Sequence, residues 1–230
     1  MVEHQSDPSR PVNSSQDGAH PDLIPIVEKH RTHPFRRPIA DHTKRAFEGA
    51  DKIAQKSGNA PLLLDAGCGT GDSTRRLSQT YPDHLVLGVD KSSHRLTKER
   101  EVPPPENMTL IRADLMDFYR LAEKAGWQLA QHYILYPNPW PKPGHLMRRW
   151  HGSPIFPSLL ALGGGLTLRT NWRPYAEEFS LALKVFGHKG TLKRHIPDSL
   201  YLTPFEEKYA RSGQALWQVT VNLATQDGEG

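Results

Sequence analysis

The chain has 230 residues, of which 23% are charged and 37% are hydrophobic, and its formal net charge at pH 7 is +4. This composition is typical of one soluble globular domain, and the small positive charge permits a polyanionic partner without requiring one. No apolar run approaches the roughly 20 residues of a membrane-spanning helix, and a single cysteine excludes an intramolecular disulfide framework.

The N-terminal region divides into two parts. Residues 1–20 are rich in Ser, Pro, Asp, Gln and Asn, and this composition predicts a disordered tail. Residues 21–58 contain the basic segment KHRTHPFRRP and then a helix over 40–56 with one apolar face. The tail has no apolar stretch of the kind found in signal peptides, and the single cysteine suits a reducing compartment, so we expect a cytoplasmic protein.

From residue 59 to 225, apolar strand patterns alternate with amphipathic helices, and the segment 215–224 has the alternation of an antiparallel strand. This order predicts an α/β domain with a doubly wound, mostly parallel sheet and an antiparallel C-terminal strand. The predicted strands are 61–67, 85–90, 107–114, 130–137 and 166–172, and the predicted helices are 72–81, 92–100, 115–126, 154–165 and 174–187.

The first strand of this domain runs into a glycine loop, LLLDAGCGTG, with glycines at 67, 69 and 71. Asp72 stands where a dinucleotide fingerprint requires Gly or Ala, and together with Asp65 it would repel a pyrophosphate. A cationic ligand suits such a loop better. We therefore predict that Asp65, Gly67, Gly69 and Gly71 help to bind S-adenosylmethionine, which carries an amino group and a sulfonium.

Two further acids end the next two strands. Asp90 is placed to accept hydrogen bonds from both ribose hydroxyls of a nucleoside, and Asp114 to accept one from the adenine amino group. The alternative is that Asp65 and Asp90 only cap helices and that the glycines only form a turn. Histidines are numerous, at twelve, but they show no HxxxH or HExxH spacing, so no metal site is predicted.

The stretch YPNPWPKPGHLMRRW follows the fourth predicted strand and therefore lies beside the cofactor site. Its prolines stiffen the backbone, Asn138 presents an amide to a methyl acceptor, and Trp140 offers a stacking surface for a base. Packing of Trp140 in the core is the competing interpretation. Basic side chains follow at a spacing that suits phosphates, namely Lys142, Arg148 and Arg149.

Four motifs, DAGCGTG, YPNPWPKPGHLMRR, LRTNWRPYAEEF and LTPFEEKY, resemble those of the tRNA (guanine-N7)-methyltransferase family in order and spacing. The resemblance covers about residues 30–223. It implies a class I Rossmann-like methyltransferase that modifies a variable-loop guanine of tRNA, with Asn138 at the reacting centre. It places Asp65, Asp90 and Asp114 at cofactor positions, and Lys142, Asn171, Thr203 and Glu206 at tRNA-binding positions.

The chain departs from the family pattern at two positions. Asn138 and Asn171 stand where the family usually has aspartate. A carboxylate only accepts hydrogen bonds, whereas an amide brings a competing NH2 donor, so replacement could cost roughly 1–3 kcal/mol if these groups hold the guanine edge. A different methyl acceptor, either another RNA nitrogen or a small molecule, is the first alternative.

Two other classes of function are disfavoured by the sequence. An RNA-binding protein without catalysis would have no reason to keep three cofactor carboxylates, and a dehydrogenase is disfavoured because Asp72 breaks the dinucleotide fingerprint. The expected partner is tRNA, without membrane or metal, and the protein is expected to act as a monomer or a homodimer.

Overall fold

The computed structural model describes residues 8–98, 101–198 and 200–223. Seven strands form one sheet. They are β1 (Leu62–Ala66), β2 (Leu85–Asp90), β3 (Met108–Arg112), β4 (Leu129–Leu135), β5 (Gly165–Thr170), β6 (Thr191–His195) and β7 (Leu216–Asn222). Their order across the sheet is β3-β2-β1-β4-β5-β7-β6. The first five strands are parallel, and β7 runs antiparallel to both β5 and β6.

Eight α-helices pack around this sheet in the described residues. They are α1 (Leu23–Thr32), α2 (Asp41–Lys56), α3 (Asp72–Thr80), α4 (Ser93–Leu96), α5 (Leu115–Lys124), α6 (Phe156–Ala161), α7 (Arg173–Val185) and α8 (Pro204–Arg211). Two short 3₁₀ turns, Pro143–Arg148 and Trp150–Gly152, precede α6. No helix among the described ranges is both long and apolar enough to cross a membrane.

The two N-terminal helices belong to the same core as the sheet. Phe47 of α2 packs against Phe118 and Trp127 with ring centroids 5.3 and 5.1 Å apart. Leu23 and Val27 of α1 are each 1% exposed and join the same buried cluster. Burial of these large apolar side chains fixes both helices onto the seven-stranded sheet.

The parallel strands explain why the functional residues gather. The carboxyl ends of parallel strands meet at one edge of a sheet, which is where ligands bind in open α/β folds. The glycine loop (residues 67–71) follows β1 and Asp90 ends β2. Asp114 follows β3, Asn138 follows β4 and Asn171 follows β5. Five successive strands therefore deliver their polar residues to one edge.

The sheet confirms the predicted fold class, including the antiparallel strand near the C-terminus. Three elements were missed. Helix α1 contains a proline in its first turn, β6 has the polar sequence TLKRH of an edge strand, and α8 is a short, mostly polar helix. None of them carries the apolar period on which the other assignments depend. Helix α6 is also shorter than predicted and ends at Ala161, because Gly163 and Gly164 have φ of +68° and +74° and β5 begins at Gly165.

The prediction of a disordered tail does not hold for residues 8–20, which we call the N-terminal segment. Its Ser9 contacts residues of the turn after α8, its Ser14 Oγ donates to the Pro141 carbonyl at 2.6 Å, and its Gln16 bonds Glu178 of α7. Hydrogen bonds to buried polar groups therefore order a segment that has almost no apolar surface to bury. Residues 1–7 lie outside the described residues.

Candidate active site

The glycine loop adopts backbone that favours glycine. Gly67, Gly69 and Gly71 have φ of +80°, +59° and +78°, a region that side chains with a Cβ rarely adopt. A Cβ on Gly71 would also meet Leu110 Cδ1 at 2.9 Å, whereas one on Gly67 would meet nothing within 4 Å. The loop therefore packs tightly on its inner side and leaves its outer backbone facing open space.

Asp65 lies beneath this loop and is 1% exposed. Its Oδ2 accepts hydrogen bonds from Ser73 Oγ at 2.6 Å and Thr74 Oγ1 at 2.7 Å. Burial, with a smaller contribution from the nearby charge of Asp90, raises the pKa of Asp65 to about 6 against the effect of the two hydroxyl donors. The carboxylate is therefore poised to be stabilised by a cation.

Asp90 supports the loops that follow β1 and β2. It does not cap α4, whose N-cap is Ser92, and its contact with ribose hydroxyls stays a prediction. Its Oδ1 accepts from the backbone N–H of Ser92 at 2.8 Å, and its Oδ2 accepts from the N–H of Gly69 at 3.1 Å. Arg95 Nη1 lies 3.5 Å from the same Oδ2. The carboxylate thus supports the loop and also faces the cleft, where an exposed guanidinium neutralises it in the free protein.

Asp114 is the N-cap of α5, with its side chain accepting from Met116 N at 2.8 Å. Its other oxygen faces Arg37 Nη2 at 3.4 Å, and that arginine forms a shorter ion pair of 2.7 Å with buried Asp117. Helix capping is therefore one role of Asp114. Its side chain is also 38% exposed, so contact with an adenine amino group stays a prediction.

The loop after β4, residues 136–142, is the acceptor loop. Tyr136 and Trp140 have φ of +50° and +46° and are the only non-glycine residues with positive φ in the described ranges. Such backbone is strained and is concentrated at functional sites. Between them, Asn138 is exposed and its Oδ1 accepts from the Trp140 N–H at 3.3 Å. The loop is thus a tight, proline-stiffened bend that carries Asn138 at its tip.

The prediction that Arg149 binds tRNA is wrong, because its side chain is 0% exposed. Nη1 donates to both Oε1 and Oε2 of Glu178, at 2.8 and 2.6 Å. Nε and Nη2 donate to the Trp140 carbonyl at 3.2 and 3.1 Å, and the guanidinium lies 4.8 Å from the Trp172 ring centroid. Arg149 therefore holds the strained end of the acceptor loop from inside the protein.

Hydrogen bonds from neighbouring side chains stabilise the ionised form of Glu178. Burial alone would raise its pKa, but hydrogen bonds from His151 and Arg149 lower it to about 2. Burial lowers the pKa of His151, so a neutral imidazole donates from Nε2 at 2.8 Å. Gln16 Nε2 and the His20 N–H donate to Glu178 Oε1 at 2.6 and 2.9 Å. One buried carboxylate thus joins the acceptor loop to the N-terminal segment.

Two of the predicted RNA contacts in this stretch lie at the surface, and a third, Trp140, is half-buried beside them. Lys142 and Arg148 are exposed, and Arg148 lies 4.8 Å over the ring of Trp140. His145 packs its edge against the same ring, with centroids 5.5 Å apart. Trp140 is thus half-buried beside cationic groups, rather than packed in the core. Contacts of these residues with RNA stay a prediction.

Thr203 and Glu206 do not fit the interpretation as direct tRNA contacts, because they are 6% and 1% exposed. Thr203 Oγ1 caps α8 by accepting from Glu206 N at 2.9 Å. Glu206 in turn accepts from four donors: Tyr136 Oη, Arg169 Nη1, His195 Nε2 and Leu202 N. These two residues therefore support the acceptor loop and the end of β5 from below.

Sequence reasoning missed three supporting residues, Gln16, Glu178 and Gln214. Glu178 left a signal, because it falls on the face of α7 that also carries Tyr175 and Phe179. A carboxylate on the buried face of an amphipathic helix requires a buried partner. Gln214 accepts from Asn171 Nδ2 at 2.9 Å, and neither it nor Gln16 has a local signature in the sequence.

The fold and the site together define a class I methyltransferase. The structure is similar to that of a 16S rRNA (adenine(1408)-N(1))-methyltransferase from Catenulisporales acidiphilia with cosubstrate SAM, with a TM-score of 0.55 and 16% identity over 77% of this chain and 93% of that one. It is also similar to the 16S rRNA methyltransferase KamB, with a TM-score of 0.54 and 17% identity over 81% and 95% of the two chains. At these identities the likeness shows the fold.

Sequence similarity identifies the family. A family model described as "Putative methyltransferase" matches residues 59–219. The tRNA (guanine-N(7)-)-methyltransferase of Methylococcus capsulatus is 30% identical over 76% of this chain and 78% of its own length. That of Thiobacillus denitrificans is 29% identical over 70% and 74%. The chain belongs to the tRNA (guanine-N(7)-)-methyltransferase family, as its motifs predict.

Replacement of Arg149 should separate its role from that of the adjacent Arg148. We expect Arg149→Met to lower the free energy of unfolding by about 3–5 kcal/mol, because it leaves Glu178 charged and unpaired in the interior. Arg148→Met, the matched control, should leave the unfolding free energy unchanged within error. Urea denaturation followed by circular dichroism measures both. If both variants lost the same free energy of unfolding, the buried ion pair of Arg149 would not be the source of the loss.

Proposed function

We propose that the protein transfers a methyl group from S-adenosylmethionine to N7 of a guanine in tRNA. The observation that carries the proposal is the strained acceptor loop, with Asn138 at its tip, at the same sheet edge as the glycine loop and the strand-end acids. Membership of the family supports the choice of acceptor. The cytoplasm, where tRNA is modified, is the proposed location, and the protein is proposed to act as a monomer or a homodimer.

The residues at the end of β1 and β2 fit the proposed cofactor. The outer face of Gly67 is open, and a Cβ on Gly69 would meet only Arg95 Nη1, at 4.0 Å. Buried Asp65 and Asp90 supply negative charge next to that space. S-adenosylmethionine, when bound, would supply the electrophilic methyl group. Asp90 would take the ribose hydroxyls once Arg95 moves aside, and Asp65 would face the positive end.

The chain's part in the reaction is mainly positioning. Guanine N7 has a free lone pair and no proton to lose, so no strong base is needed, and alignment of the base supplies most of the acceleration. Asn138 meets this need because the prolines around it, the strained backbone and Arg149 hold the loop in one shape. We therefore propose Asn138 as the residue that contacts the target base.

Recognition of tRNA would use two basic surfaces. The first is formed by Lys142 and Arg148 beside Trp140, which together offer phosphate contacts and a stacking face. The second is a cavity of about 500 Å³ between the end of α1, α5 and the start of α6. Its lining carries a cationic and aromatic set: Arg31, His33, Phe35, Arg120 and Lys124.

Methyl transfer from labelled S-adenosylmethionine to tRNA lacking N7-methylguanosine tests the proposed function. We expect the label in N7-methylguanosine after digestion, as identified by chromatography and mass spectrometry. Failure to bind the cofactor in calorimetry would overturn the proposal.

Another RNA nitrogen or a small amine is the second candidate acceptor. It is favoured by the exposed amide of Asn138, because the family pattern usually has an aspartate at that position. Label in another nucleoside, or in none while the cofactor still binds, would select this candidate.

Cofactor affinity should depend on pH through Asp65. A cation favours the ionised carboxylate, whose pKa in the free protein is raised to about 6. Below that pH, binding must release the proton on Asp65. The dissociation constant should therefore rise by up to about tenfold per unit as the pH falls below 6, and Asp65 should add no further dependence above pH 7.

Calorimetry in buffers of different ionisation enthalpy measures both the affinity and the released proton. Asp65→Asn should bind more weakly and lose the dependence. S-adenosylhomocysteine lacks the sulfonium charge, so its dissociation constant should depend less on pH. If the dissociation constant of the unchanged protein did not change with pH, Asp65 would not contact the cationic end of the cofactor.

A further inference from the structure

Asn171, at the end of β5, is tied to the N-terminal segment through Gln214. Gln214 Nε2 donates to the backbone carbonyl of Ser9 at 2.8 Å, and Asn171 Nδ2 donates to Gln214 Oε1 at 2.9 Å. The Ser9 N–H also donates to Ser212 Oγ at 2.8 Å. The contacts form a relay of two side-chain amides that ends on a backbone carbonyl.

The chemistry of this relay fixes the orientation of both amides. A carbonyl oxygen only accepts, so Gln214 must turn its NH2 group toward Ser9 and its oxygen toward Asn171. Asn171 must then give its own NH2 group to Gln214. Its Oδ1 is left over, and it has no hydrogen-bond partner among the residues that the structure describes. Asn171 therefore presents an acceptor, as an aspartate would.

Asn138 is oriented in the opposite sense. Its Oδ1 accepts from the Trp140 N–H, so its NH2 group is the one left for a ligand. The two asparagines follow neighbouring strands, since β4 pairs with β5 and the Tyr136 N–H donates to the Arg169 carbonyl at 2.8 Å. The acceptor side of the site thus offers one donor and one acceptor from adjacent loops.

We propose that this pair of amides determines which base the enzyme accepts, with Gln214 as the positioning residue that sets the polarity of Asn171. The inference rests on the proposed function. The Asn138 NH2 group would donate to O6 of guanine, next to N7, and Asn171 Oδ1 would accept from a ring or exocyclic N–H of the same base. Adenine carries an NH2 group instead of O6 and would face Asn138 donor to donor.

The relay also explains why a carboxylate at position 171 would not fit this chain. An aspartate there would meet the oxygen of Gln214, and rotation of that amide would set its oxygen against the Ser9 carbonyl. Asn171→Asp should therefore loosen the N-terminal segment. Gln214→Lys keeps a donor for Ser9 but forces Asn171 to turn its oxygen inward and its NH2 group outward. The double variant, with a lysine facing an aspartate, satisfies every group.

A double-mutant cycle tests this prediction. We expect each single variant to lower kcat/KM for tRNA by about ten- to one hundred-fold. Asn171→Asp sets two oxygens against each other, and Gln214→Lys turns the Asn171 NH2 group toward the base. The double variant should recover to within a few-fold of the unchanged protein. Gln79→Lys, which adds the same charge at an exposed position of α3, is the matched control and should keep the original kcat/KM.

Hydrogen exchange without tRNA supplies a readout that does not depend on catalysis. Amides of the N-terminal segment should exchange faster in Asn171→Asp and regain protection in the double variant. Single variants with unchanged kcat/KM, or a double variant that recovers neither activity nor protection, would overturn the relay. If the unchanged protein methylates no guanine, the proposed function fails, and the exchange data still decide whether the relay exists.

Discussion

The buried ion pair between Arg149 and Glu178 is the interaction on which the acceptor side depends. An isolated charge in the interior would cost several kcal/mol, and here each charge is met by hydrogen bonds from several sides. Arg149 also donates to the Trp140 and Lys142 carbonyls and to Gln16 Oε1. Glu178 accepts from Gln16 and His20 of the N-terminal segment. The ion pair therefore stabilises the strained conformation of the acceptor loop.

A division of labour between the two halves of the sheet follows. On the β1 and β2 side, glycine backbone and buried carboxylates build a negative cleft from residues close in sequence. On the β4 and β5 side, the geometry comes from distant residues, including Glu206 beneath the acceptor loop. The first half is built from features common to the fold class, whereas the second carries the amides of Asn138 and Asn171.

This division also explains which parts were predictable from sequence. Apolar period and glycine spacing are local, so β2, the glycine loop and the strand-end acids could be placed from the letters alone. Arg148 and Arg149 are neighbours with the same side chain, and only the position of Glu178 on α7 decides which one turns inward. Thr203 and Glu206 were located by motif, but their burial depends on Arg169 and His195 of other elements.

The contacts of Ser9 have a consequence for how the protein is made. They join residues 203 and 205 positions apart in the chain. A ribosome must therefore deliver Ser212 and Gln214 before Ser9 can form these contacts, whereas the glycine loop and its acids are complete once residue 114 has been made. The cofactor side, at β1 and β2, is therefore able to form on a nascent chain. The acceptor side, at β4 and β5, is completed later, once Gln214 has been made.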